Sequence, residues 1–195
     1  ASNETSWSVS EERVVRKQLG VDELGYHALY WLEYGYLQQG RYGEARRVLG
    51  IMEENAQRSN SEKVRSSMVF LRAAYLAETG QWTSAVALTN TNGLNAGTKA
   101  TASFMDAVAR LEGGLAAGTA AAITDLRNGP LASQIMADEL ESELRMKEGK
   151  VDAALRDAAS AAEKEDRLNF EFGPPLPAMP AHEFYGQMLL RASRP

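Results

Sequence analysis

Four glycines set the terms for this chain. Gly40, Gly80, Gly118 and Gly149 recur at intervals of 40, 38 and 31 residues, each between two stretches with apolar residues at i, i+3, i+4 and i+7. That spacing is the period of an amphipathic helix, and glycine is the residue that most readily adopts the left-handed conformation closing one. Ala28, Leu29, Leu32, Tyr36 and Leu37 precede Gly40, and Tyr42, Ala45, Val48, Leu49 and Met52 follow it. Around Gly80 the stripes are Val69, Ala73, Leu76, then Trp82, Ala85, Val86, Leu88. Phe104, Val108, Leu111 and Leu115 lead to Gly118, with Ala122, Ile123 and Leu126 beyond it. Ile135, Leu140 and Leu144 lead to Gly149, with Val151, Ala154, Leu155 and Ala158 after it. No stretch alternates long enough for a strand, so the chain reads as all-α.

Composition removes several functions. The chain has 195 residues, a net charge of -5, 44% apolar and 24% charged residues, the proportions of a folded globular chain. It has no Cys, which excludes disulfides, thiolate nucleophiles, Cys-ligated zinc and iron–sulfur clusters. Only two His, His27 and His182, are present, so no multi-histidine metal centre and no metal or other cofactor is expected. An acidic chain is poorly suited to the nucleic-acid backbone, and no nucleic-acid partner is expected. No segment approaches the ~20 apolar residues of a membrane span; the most apolar tract, residues 113–123, is short and Gly/Ala-rich. The start, Ala1-Ser2-Asn3-Glu4, has neither Met nor a basic-then-apolar leader and reads as an internal or processed beginning. The compartment stays open between cytoplasm and periplasm.

Three of the four turns continue alike: Gly40-Arg41-Tyr42-Gly43-Glu44-Ala45, Gly80-Gln81-Trp82-Thr83-Ser84-Ala85 and Gly149-Lys150-Val151-Asp152-Ala153-Ala154. A bulky residue two after the glycine plugs the turn, and an Ala five after it lets the second helix approach the first. The Gly118 turn departs, with Ile123 in the Ala position.

These residues resemble tetratricopeptide repeats, helix–turn–helix units of about 34 residues. The segment Leu32-Glu33-Tyr34-Gly35-Tyr36-Leu37-Gln38-Gln39-Gly40-Arg41-Tyr42-Gly43-Glu44-Ala45 carries the resemblance most closely. More narrowly, His27-Ala28-Leu29-Tyr30-Trp31 and the late Gly173-Pro174-Pro175-Leu176-Pro177 and Pro180-Ala181-His182-Glu183-Phe184-Tyr185-Gly186 are similar to a group of bacterial tetratricopeptide proteins without assigned biochemistry. The resemblance implies an all-α, right-handed α-solenoid, a superhelix of helix–turn–helix units. Its parts would be a flanking helix at 8–20, repeats at 22–57, 61–89, 98–127 (degenerate) and 130–166, and the first helix of a truncated fifth repeat at 178–192. Val9 to Leu19 reads as a lone helix with Ser10 as N-cap, and Phe184 to Ala192 as a first helix without its partner. Solenoids bury their faces only against neighbours, so the expectation is missing sequence at both ends or pairing of two copies through the terminal helices. Ser59-Asn60-Ser61, the turn-forming stretch Asn90 to Thr98 and the proline-rich Phe172 to Pro180 are the linkers.

Motifs that carry chemistry are few. Gly93 to Lys99 resembles a phosphate-binding loop only loosely: its glycines are too close, Thr98 intervenes before Lys99, and no strand precedes it. Glu139 and Glu143 share a helix face, as do Glu141 and Arg145, and solvated helix faces explain both pairs. His182 reads as a capping residue after prolines, and His27 as a half-exposed helix residue with Glu23 one turn before it. The seven Met are scattered and read as core filler. No catalytic set can be assembled, so no enzyme is expected.

The aromatic crowd on one helix stands apart. Tyr26, Tyr30, Trp31, Tyr34 and Tyr36 fall within eleven residues, and His27, Tyr30, Tyr34 and Gln38 run at i, i+3, i+7 and i+11 on one face. The family resemblance implies that this face lines a concave, partner-binding groove. It extends the groove to Phe70 and Glu78 in the second repeat, to Met136, Glu139, Glu143 and Lys147 in the fourth, and to Glu183 and Gln187 in the last helix. Such a surface, aromatic at one end and acidic at the other, suits an extended or helical segment with apolar anchors and a basic group. The function expected is therefore a non-enzymatic scaffold holding a partner peptide or domain. The alternatives are the repeat region of a larger enzyme or sensor, and small-ligand binding around His27 and Tyr30.

Overall fold

The computed structural model describes residues 2–83, 90–169 and 173–194. Among the described residues there are nine α-helices, one short 3-10 turn at Val21–Glu23 and no strand. Ala85, Val86 and Leu88, expected in the second helix of the second repeat, and Phe172 of the proline-rich linker lie outside the described residues. The chain divides into two compact units, Ala1–Leu94 and Asn95–Pro195.

The N-terminal unit holds α1 (Ser2–Lys17), α2 (Tyr26–Gln38), α3 (Tyr42–Arg58) and α4 (Glu62–Thr79). α2 packs against α1, α3 and α4, and α3 against α4. The stripes read from the sequence close on one another: Leu29, Leu37, Leu49, Met52 and Leu76 are fully buried in one core, together with Leu71, which no stripe included. Each such side chain contributes about 1.5–3 kcal/mol of burial, which is what holds helices of this length in place. Helix ends are set locally. The Ser61 hydroxyl accepts the Val64 N–H at 3.3 Å and starts α4. Gly40 and Gly80 close α2 and α4 at φ +68° and +63°, a backbone conformation that costs other residues roughly 1–2 kcal/mol. At Gly40 the N–H groups of Gly40 and Arg41 turn back to the Leu37 and Tyr36 carbonyls, both at 2.9 Å. Ala45 has no exposed surface, as expected for the small residue between paired helices, whereas Tyr42 stays 41% exposed and plugs its turn only partly.

The first helix differs from the expectation. It begins at Ser2, not near Val9, so Ser10 lies inside it and is no N-cap. Its hydroxyl donates to the Trp7 carbonyl at 2.9 Å and accepts the Gly25 N–H at 3.1 Å. What extends the helix is Trp7, buried with its ring 6.0 Å from Tyr26. At the unit's other end, buried Arg65 donates to the carbonyls of Asn60, Asn90 and Asn92, drawing two linkers together.

The C-terminal unit holds α5 (Ala96–Glu112), α6 (Thr119–Arg127), α7 (Leu131–Lys147), α8 (Val151–Glu165) and α9 (Ala181–Arg191). Consecutive helices pack together, and α7 also touches α5 and α9. Asn95 caps α5 by accepting the Thr98 N–H at 2.9 Å, which gives the loosely phosphate-loop-like segment an ordinary helix start. Gly118 and Gly149 again have positive φ, +83° and +75°. Fully buried Ala154 lets α8 approach α7 closely enough for Ser142 to donate to its carbonyl at 2.8 Å. The last helix starts at Ala181, three residues before the expected Phe184. The two Glu165 oxygens accept the N–H groups of Ala181 and His182 at 2.9 and 3.0 Å. A carboxylate from α8 therefore fills the capping role expected of His182. The His182 ring instead lies 2.9 Å from Asp166, and that hydrogen bond raises its pKa.

Candidate binding face

On α2 the aromatic residues divide between core and surface. Tyr26 and Tyr36 are buried, and the Tyr26 hydroxyl donates to the Val21 carbonyl at 3.0 Å. Tyr30, Trp31 and Tyr34 are half-buried, and His27 and Gln38 are exposed. The His27 Nε2 accepts the Trp31 indole N–H at 3.0 Å, so His27 is tied to Trp31 and not to Glu23. Trp31 meets the Tyr34 ring edge-on at 6.4 Å. The outer side of α2 is thus a strip of rings whose orientation is fixed by mutual contact.

Helix α4 continues this strip. Phe70 of α4 lies 6.3 Å from Tyr30, ring to ring, and the Gln38 amide donates to Glu78 of α4 at 3.2 Å. The four residues singled out by spacing, His27, Tyr30, Tyr34 and Gln38, therefore share one two-helix surface with Phe70 and Glu78, the two added through the family resemblance. It is aromatic near the start of α2 and ends in a carboxylate near its finish. Burial first, and the charge of Glu33 second, push the Tyr30 hydroxyl well above the usual phenol range.

Glu33 is a residue that spacing arguments passed over. It has no exposed surface, and neither carboxyl oxygen has a partner among the described residues. Burial pushes its carboxyl well above the usual range, while Arg46 pulls the other way. The signal was present, because Glu33 stands on the Leu29, Tyr36, Leu37 stripe where an apolar residue belongs. On the other side of α2, a recess of about 300 Å³ lies between its last turns and the start of α1, bordered by Asn3, Glu4, Trp31, Gly35, Tyr36 and Arg41. There the Tyr36 hydroxyl donates to Glu4 at 2.6 Å and the Arg41 guanidinium sits 4.4 Å over the Tyr36 ring.

The C-terminal residues read as groove lining have different surroundings. Met136 and Glu139 are buried, at 3% and 0% exposure, and do not line an open surface. Neither Glu139 oxygen has a partner among the described residues, and burial pushes its carboxyl well above the usual range. Glu143 is also buried and accepts from Arg191 of α9 at 2.6 Å. Lys147 pairs with Glu112 of α5 at 3.0 Å, while Glu183 and Gln187 are exposed on α9. The physical reason is crowding: α7 is flanked by α5, α6, α8 and α9, so both sides of its outer face are covered. Glu141 and Arg145, expected as a simple surface pair, belong to a larger cluster with Arg127 and Asp157.

Among the described residues no group of three or more His, Asp or Glu is placed to hold a metal ion, and no helix is long and apolar enough to cross a membrane. Comparison with protein-family models, curated proteins and solved structures finds no match to this chain.

Proposed function

We propose that this chain is a non-enzymatic protein-interaction module of the tetratricopeptide kind, its helical hairpins stacked as a right-handed solenoid, and that the α2–α4 face holds a partner peptide. The observation that carries the reading is the juxtaposition of equivalent positions on two successive first helices, Tyr30 with Phe70 and Gln38 with Glu78. Half-buried rings offer rigid apolar area with little entropy to lose, and Glu78 offers an exposed negative charge at one end. A peptide with one or two apolar anchors and a Lys or Arg several residues away matches that order of chemistry.

The test is selection of a displayed random-peptide library on the full chain, followed by fluorescence polarisation with the enriched sequences. The expected outcome is a shared apolar-plus-basic pattern whose affinity falls at least about tenfold in a Tyr30→Ala/Phe70→Ala variant that still melts cooperatively. Enrichment of no pattern, or equal binding by the variant, would overturn the reading. The recess beside Trp31 favours a second reading, a small ligand seated between α1 and α2. A thermal shift with a metabolite set that disappears in Trp31→Ala would support it.

A further inference from the structure

Two Asn-Gly dipeptides occur in the chain, Asn92-Gly93 and Asn128-Gly129, and the fold treats them differently. An Asn side chain followed by Gly can close on the main chain, because a residue without Cβ leaves its amide nitrogen open to the neighbouring side-chain carbonyl carbon. Both asparagines are exposed, so access of water does not separate them. The glycines do. The Gly129 N–H donates to the Leu126 carbonyl at 3.1 Å. Gly129 also sits so close to Ser133 that a Cβ added to it would lie 2.7 Å from the Ser133 Cβ. The second dipeptide is thereby held at the end of α6 with its nitrogen committed.

Asn92 and Gly93 lie in a turn closed by the Leu94 N–H on the Thr91 carbonyl at 3.2 Å, with Gly93 at φ +78°. The Gly93 N–H donates to no acceptor among the described residues, and the Asn92 bonds there are made by its main chain, not by its side-chain amide. The turn is also polarised. Buried Arg65 donates from Nη1 to the Asn92 carbonyl at 2.6 Å and to the Asn90 carbonyl at 3.1 Å, while its Nε is fixed on the Asn60 carbonyl at 3.0 Å. The Asn92 carbonyl and the Gly93 N–H belong to one peptide group. A guanidinium on the oxygen therefore stabilises the negative charge that this group takes up when the nitrogen loses its proton. Arg65 Nη2 reaches Gly93 as well: a Cβ added there would lie 3.8 Å from it.

We propose that Asn92 is a site of spontaneous deamidation, promoted by Arg65, and that the fold protects Asn128. In the first step the Gly93 nitrogen bonds to Asn92 Cγ and the Cγ–Nδ2 bond breaks. The side-chain nitrogen leaves as ammonia, taking the amide proton, and a succinimide ring closes. Water then opens the ring: attack at Cγ gives aspartate, attack at the main-chain carbonyl gives isoaspartate, and nothing is oxidised or reduced. Either product adds one negative charge beside buried Arg65, and the isoaspartyl form routes the main chain through an extra methylene. The clasp that gathers the carbonyls of Asn60, Asn90 and Asn92 on one guanidinium therefore changes as the protein ages. The site uses no residue of the α2–α4 face and does not rest on the peptide reading above.

Peptide mapping by mass spectrometry tests the proposal, on the full chain held for several days at mildly alkaline pH, with and without concentrated guanidinium chloride. In the folded chain position 92 should convert at least about tenfold faster than position 128. In the denaturant, where α6 no longer holds Gly129, the two rates should fall within about threefold of each other. Isoaspartate among the products at position 92 marks the succinimide route. Arg65→Lys, which keeps a charge but loses the forked donor, should slow position 92 by about threefold and leave position 128 unchanged. No conversion at position 92, aspartate as its sole product, equal rates at the two positions in the folded chain, or the same preference in denaturant would each overturn the site. An Arg65→Lys rate equal to or above the native one would overturn the part given to Arg65. The comparison of folded and denatured native chain decides the matter even where that variant fails to fold.

Discussion

The faces of α2 and α7 make a natural pair, since the family resemblance implied the same role for both. On α2 the residues at i, i+3, i+7 and i+11 are exposed or half-buried and dominated by rings. On α7, Met136, Glu139 and Glu143 are buried, and every residue from Ile135 to Leu140 is shut away from solvent. The difference lies in the neighbours: among the described residues α2 packs mainly on α1, α3 and α4, and α7 on α5, α6, α8 and α9. A helix covered on nearly all sides would be expected to be apolar all round, yet α7 carries Asp138, Glu139, Ser142 and Glu143 in its buried part. Three of these have found partners, Asp138 in Ser160 and Lys164, Ser142 in the Ala154 carbonyl, and Glu143 in Arg191. Register therefore decides which residues share a face, and the packing around the helix decides whether that face can meet a partner.

The largest test of this contrast is truncation at equivalent positions. Met136→Ala should cost about 2–4 kcal/mol by urea denaturation, and Phe70→Ala, at a half-buried site, only about 1 kcal/mol. Equal costs would mean that the α2–α4 surface is core after all. Next come the two buried carboxyls, in which the units agree. Glu33 and Glu139 both hold their protons above the usual carboxyl range in the folded chain, with burial the leading cause. The folded state then binds more protons than the unfolded one, so the stability present at acid pH is lost as pH rises from about 4.3 towards the raised values. The slope is at most about 1.4 kcal/mol per pH unit for each group. Urea midpoints of the native chain, Glu33→Gln and Glu139→Gln at pH 5 and 7.5 should show each variant losing less on going to the higher pH. Parallel behaviour of variants and native chain would show that neither carboxyl is held neutral.

Glu33 and Glu139 also mark where the sequence stops being informative. The stripes and three stop glycines were legible: Gly40, Gly80 and Gly149 follow helix ends at positive φ, and Ala45 and Ala154 sit fully buried, whereas α5 already ends at Glu112, leaving Leu115 exposed and Gly118 as the start of α6. Phe70 and Glu78 were named only through the family resemblance, and the contacts of Tyr30 with Phe70 and of Gln38 with Glu78 are what the packing of α2 on α4 adds. Spacing along one helix carries no record of what lies across from it, so the covering of Glu139 could not be read. The length of α1 was missed for a related reason. Its first half has little amphipathic pattern, and what ties it to the rest, Trp7 against Tyr26 and Glu4 accepting from Tyr36, lies far apart in sequence.

The smallest effect expected is at Glu78. Its bond to Gln38 is exposed, so Glu78→Gln should change stability by less than about 0.5 kcal/mol. The same change should weaken a basic peptide roughly three- to tenfold at low salt, and less as salt is added. An affinity indifferent to Glu78 would restrict recognition to the rings.

Glu165 gives α9 an unusual independence. Because each of its oxygens holds one of the first two N–H groups of α9, the origin of that helix is dictated by α8 and not by the length of chain leading into it. Phe184 and Met188 then seat it in an apolar core shared with α8. Within residues 173–180, Pro177 is buried and Met179 packs on that same core, so only the stretch from Gly173 to Leu176 serves as a tether. For protein engineering that makes the stretch a docking port: a loop, tag or small domain spliced there would leave the last helix where it is.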